Sequence, residues 1–136
     1  MCLLTAFTHA GAQPAESLEG RVKANLWKKR VILVYARDEN NADLLAQKRL
    51  LADNKAGLTE RDFTELVVLE SNLSTDDRTY LRAGDRKLGT SVAFMAFLIG
   101  KDGGVKQRYS KPVTAAELFR IVDSMPMRQS EMRRNK

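Results

Sequence analysis

Hydrophobic positions come in three short unbroken runs, and polar stretches of very different length separate them. Val31-Ile32-Leu33-Val34-Tyr35 is apolar at five successive positions, three of them β-branched at the start and middle of the run, which predicts a strand covered on both faces. Phe63–Leu69, with Leu66-Val67-Val68-Leu69 at its centre, predicts a second strand, and Val92–Ile99 predicts a third. Val105–Ser110 instead alternates. Val105, Gln107 and Tyr109 fall on one side and Lys106 and Arg108 on the other, the pattern of a half-exposed edge strand.

Helical spacing fills the gaps. Leu44, Leu51 and Leu58, with Leu45 and Ala52 beside them, form one apolar face, with Asn40 or Asn41 as the cap and Gly57 as the C-terminal stop. The polar stretch Ser71–Ser91 is too long for a bare connection and predicts a short helix around Asp77–Ala83. Thr114 and Glu117 have capping-box spacing ahead of Leu118, Ile121, Val122 and Met125, and Pro126 reads as the stop. Asp102-Gly103-Gly104 is hairpin chemistry between the third and fourth strands. Arg61-Asp62 reads as a local ion pair at the turn into the second strand, and Trp27 as a lid on the core.

The order is therefore β-α-β followed by β-β-α. This predicts an α/β, thioredoxin-like fold with a central mixed sheet and helices on both faces. A ferredoxin-like alternative needs a further strand after the last helix, and 127–136 is too polar to supply one.

Composition adds little to that fold and much to the chemistry. The chain has 136 residues, 43% hydrophobic and 29% charged, which suits one domain with its own core. Its net charge of +6 points to acidic partners or simply to solubility, since the charges are scattered. A nucleic-acid module is disfavoured, because basic and aromatic residues do not interleave. No apolar run reaches the roughly 20 residues that span a bilayer. Residues 1–12 lack charge and end Ala10-Gly11-Ala12, so they read as a truncated signal peptide, which predicts a periplasmic or secreted protein. If they stay attached, the cytoplasm is the expected compartment. Residues 13–25 then read as a linker or a loosely docked helix, 26–127 as the domain and 128–136 as a basic tail.

The one cysteine (Cys2) and the one histidine (His9) both fall inside that leader. Where a thioredoxin-like enzyme carries its thiol, after the first strand, this chain reads Ala36-Arg37-Asp38-Glu39-Asn40-Asn41-Ala42-Asp43, and before the third strand Thr90-Ser91-Val92-Ala93 stands in place of a proline. A thiol there would have its pKa lowered by the helix N-terminus; none is present to be activated. Without histidine there is no Ser-His-Asp arrangement and no imidazole zinc site. No catalytic, cofactor-binding or metal-ligating residue is assigned.

Four segments carry a resemblance: Trp27–Val31, Gly57–Asp62, Leu98–Lys106 and Ile121–Met132. By them the chain is identified as a member of the bacterial domain of unknown function 4174 family, which is similar to the C-terminal domains of sushi-repeat-containing extracellular-matrix proteins. The resemblance implies a divergent thioredoxin- or peroxiredoxin-like fold and an exported setting, and it supplies no catalytic residues.

Two segments remain as a candidate interaction surface. Lys101 and Asp102, with Gly103 and Gly104, form the hairpin tip; with Lys106 and Arg108 they make either a small basic contact patch or turn chemistry beside a charge-protected edge strand. Met125-Pro126-Met127-Arg128 is either a docking lip or a helix stop packed on the core. The expected role is an exported, non-enzymatic domain that binds another envelope or extracellular protein. The alternatives are an enzyme using carboxylates and lysines, or a polyanion-binding module.

Overall fold

The computed structural model describes residues 16–135; the leader, with Cys2, His9 and the Ala10–Ala12 cleavage pattern, lies outside the described residues. Four strands form one sheet in the order β2-β1-β3-β4, where β1 is Arg30–Ala36, β2 Phe63–Leu69, β3 Phe94–Ile99 and β4 Val105–Tyr109. β1 and β2 run parallel, while β1–β3 and β3–β4 are antiparallel.

Alternation along β1 builds the two cores. Val31, Leu33 and Tyr35 point to one face, where they meet Phe97 and Ile99 of β3. That face is covered by the helices α1 (Leu18–Lys23) and α4 (Thr75–Arg82) through Leu18, Val22 and Leu81. Ile32, Val34 and Ala36 point to the other face and meet α2 (Ala42–Ala52), α3 (Lys55–Glu60) and α5 (Ala115–Asp123) through Leu44, Leu51, Leu58, Leu118 and Val122. A strand buried on both faces needs an unbroken apolar run. All seven residues of β1, Arg30 included, are buried.

Several expectations are corrected. Residues 13–25 are not simply a linker, and the docked-helix alternative holds: α1 lies there, capped by Ser17, with Leu18 and Val22 buried and the Leu18 amide donating to Asp77 at 2.9 Å. Two apolar residues on a six-residue helix are too few to show a period. The single helix across Leu44–Leu58 is two helices, and Gly57 lies inside α3 and is not a stop. Leu45 is exposed, and the buried face of α2 is Leu44, Gln47 and Leu51; Gln47 bonds Val113 through both ends of its amide, at 3.0 and 2.8 Å. Asn41 does cap α2. Thr114 caps α5, but Glu117 pairs with Arg120 and does not close the box; the full capping box is Ser74/Asp77 on α4.

The end of the chain departs furthest from expectation. Pro126 does not end a helix. It opens one, α6 (Pro126–Arg134), since proline at the first helical position gives up an amide that has no intrahelical partner there. The expected basic tail is thus helical from its start through Arg134, and Arg128 and Glu131 are buried. Trp27, expected as a lid, is 67% exposed.

Candidate functional site

In this layout the end of the sheet with chemical potential is the C-terminal end of β1, where α2 begins. There Arg37 donates its amide to Ala93 at 2.9 Å and its guanidinium to Thr90 at 3.4 Å, tying the first strand's exit to the segment ahead of β3. Arg37, Asp38, Glu39 and Asn40 are exposed around a shallow cleft completed by Leu69 and Ser71. No cysteine or histidine lies among the described residues, and they hold no cluster of three side chains able to ligate a metal. This end offers carboxylates, amides and a hydroxyl, and no thiol or imidazole among the described residues.

The opposite end is built from buried charge. Arg30 begins β1 with its side chain 1% exposed; its guanidinium donates to the Arg61 carbonyl at 2.9 Å and closes a fork on Glu131 at 3.2 and 3.3 Å. Lys101, just past β3, reaches the same carboxylate at 2.6 Å and Asp62 at 2.8 Å. Arg128 bonds Glu60 at 3.2 Å and Asp123 at 3.4 Å. Arg61 grips Asp123 with two bonds of 2.9 Å and lies over the Phe119 ring, 3.9 Å from its centroid. The expected Arg61–Asp62 pair is therefore replaced by Arg61–Asp123 and Lys101–Asp62. Adjacent side chains point apart, so each finds a partner in another element.

Electrostatics follow from this packing. Burial alone would raise the Glu131 carboxyl, but hydrogen bonds from Lys101 and Arg30 outweigh it and hold the group below the usual carboxylate range. The Arg61 bonds hold Asp123 low in the same way. Removing charges from water is costly unless each is paired, and here one carboxylate satisfies both Arg30 and Lys101.

Above this base lies a cleft of about 360 Å³ lined by Arg30, Gly100, Lys101, Asp102, Lys106 and Met125–Met127. The fold thus brings the two candidate segments, far apart in sequence, to one place. Their roles differ from those expected. Lys101 and Arg128 are buried supports rather than contact groups. Asp102 accepts from the Gly104 amide at 3.0 Å and from Lys106 at 2.8 Å, and Lys106 first among its partners lowers its pKa. Gly103 takes φ +83°, a conformation suited to glycine, with Leu26 against it. Arg108 donates to the Lys87 carbonyl at 3.0 Å and does not line the cleft. No basic patch forms here, because Lys101 and Lys106 are both neutralised. What remains open is the lip: Met125 is half-buried, and Pro126 and Met127 are exposed. Sequence reading missed Arg30 and Glu131. Glu131 had a signal, as the one acid among the four cations of 128–136.

Residues 22–131 match the model of a domain of unknown function, DUF4174. The chain belongs to the DUF4174 family. The matched stretch contains every member of the buried charge cluster. No curated protein matches this DUF4174 chain in sequence. Among solved structures it is similar to thioredoxin peroxidase I of Plasmodium yoelii (TM-score 0.59, 16% identity, 79% of each chain). It is similar also to the reduced 2-Cys peroxiredoxin of Plasmodium vivax (TM-score 0.59, 15% identity, 79% of this chain and 71% of that one). A putative thioredoxin of Neisseria meningitidis aligns at TM-score 0.51 and 17% identity, over 80% of this chain and 83% of that one. Such identities speak for the fold, which is thioredoxin-like, and not for an activity.

Proposed function

We propose that this DUF4174 domain is an exported, non-enzymatic binding domain that seats another envelope or extracellular protein in the cleft between the β3–β4 hairpin and the Met125–Met127 lip. The observation that carries the reading is the contrast between the two ends of the sheet. The end from which a thioredoxin-like fold acts has polar side chains and no thiol among the described residues, whereas the other end has a rigid, fully paired base beneath an adaptable methionine rim. Pre-paired charges do not have to be desolvated anew when a partner arrives, so the apolar lip supplies the contact and the cluster supplies rigidity. A bacterial origin, and kinship with the C-terminal domains of sushi-repeat-containing matrix proteins, belong to the same proposal.

The test places a photoreactive amino acid at Met127 or at Asn40 in cells expressing the full chain. One defined envelope protein captured from Met127 and not from Asn40, on a form shortened by residues 1–12, is the expected result. Capture from Asn40 instead, an unprocessed chain in the cytoplasm, or peroxide consumption or insulin reduction by the chain without residues 1–12 overturns it.

A further inference from the structure

One feature of the molecule works against its own stability. Trp27 is 67% exposed and has φ +63°, the left-handed region that bulky side chains avoid. The turn needs that backbone, because it lets the Trp27 amide donate to the Lys101 carbonyl at 2.8 Å and so ties residues 25–29 to the hairpin. It does not need the ring. A glycine would make the same bond without steric cost, and the indole recovers little packing.

The surroundings say what the ring faces. Lys28 and Lys29 follow it, both exposed. The carboxylates on the segments bonded to this turn, Asp62 and Asp102, already hold Lys101 and Lys106 at 2.8 Å each, so they do not offset the two lysines. An exposed aromatic ring beside two cations is complementary to an anionic surface. Lysine is depleted at protein–protein interfaces, whereas tryptophan and lysine together are favoured where a bilayer meets water: the ring sits at headgroup level and the ammonium groups reach phosphate.

We infer that Trp27, Lys28 and Lys29 form a peripheral membrane contact for anionic phospholipid, which would hold the cleft beside a bilayer surface. Three side chains give weak, reversible attachment that fades as salt screens the lysines. The contact is independent of whatever fills the cleft.

Trp27 is the chain's one tryptophan, so its fluorescence reports the contact directly. The full chain is titrated with vesicles of equal parts phosphatidylglycerol and phosphatidylcholine, and with phosphatidylcholine alone. Emission is expected to shift to shorter wavelength with the first and not the second. The Lys28→Glu/Lys29→Glu variant is expected to partition at least roughly thirtyfold more weakly, by the attraction usual for two lysines at an anionic surface. In Trp27→Gly, sedimentation with anionic vesicles should fall while the melting temperature rises, a combination that lost folding cannot produce. No shift with anionic vesicles, an equal shift with neutral ones, undiminished binding by the double variant, or a shift only with heparin or DNA overturns the inference. None of these results bears on crosslinking from Met127.

Discussion

Arg30, the first residue of β1, and Glu131, in the last helix, stand 101 positions apart in sequence and meet in a two-bond fork at 3.2 and 3.3 Å. This pair, with Lys101, is the main tie between α6 and the sheet, because the buried residues of α6 are Arg128 and Glu131. Most helices dock through an apolar stripe; this one docks through charge.

Replacing Glu131 with alanine therefore leaves buried Arg30 without a carboxylate and Lys101 with Asp62 alone. The expected loss is about 3–5 kcal/mol, the usual cost of breaking a buried pair from one side. Urea unfolding of wild type and variant measures it. A loss below about 1 kcal/mol would mean the cluster behaves like a surface pair.

The same carboxylate sets an acid limit. Its folded pKa lies below the unfolded value of about 4.3, so its contribution is present above that pH and is lost as pH falls through the folded value. Asp123, Asp102, Asp77 and Glu70 are lowered too and add to the loss in the same window. The stability gap between wild type and Glu131→Gln should accordingly narrow as pH drops from 5 toward 2 by roughly the span in which carboxylates protonate. Urea midpoints across that range check this, and a gap that stays constant refutes it.

What the sequence disclosed and what it hid divide along one line. β1 and β3 were legible because burial on both faces demands apolar runs, β2 because of its Leu66–Leu69 run though it is only partly buried, and the hairpin because Gly103 needs a positive φ. α6 was hidden because its buried residues are charged, and three cations in its nine positions look like a solvated tail. Arg30 was hidden in the same way, and Trp27 was misplaced because hydrophobicity alone puts it inside. Both halves of the cleft were visible as segments; that they adjoin is a fact of topology, set by β3 ending where β1 begins.

Tyr35 offers a signature at the alkaline end. Burial first, and then its 2.8 Å bond to Glu70, push its pKa up to about 12. A raised value means stability fully present below the ordinary pKa of about 10 and lost as pH climbs to the folded one. Ultraviolet titration of the folded protein should show delayed ionisation, since burial also raises Tyr80 and Tyr109. In Tyr35→Phe the latest component should vanish. A titration complete near pH 10 would show the hydroxyl to be open to solvent.

Gly57 tests how tightly α3 and α5 are joined. A Cβ at that position would sit 2.7 Å from Phe119 Cζ and 2.8 Å from Cε2, so the ring has to move. It is not free to do so, because the Arg61 guanidinium covers it and is itself fixed to Asp123 by two bonds. Alanine favours a helix interior over glycine by about 1 kcal/mol, while overpacking costs about 1–3 kcal/mol. Gly57→Ala should thus come out neutral to about 2 kcal/mol less stable. The decisive measurement is the coupling. Phe119→Leu makes room for the methyl, so the double variant should be more stable than the two single changes added together, by about 1 kcal/mol or more. Strict additivity would show that the ring swings aside at no cost, and that Arg61 does not pin it.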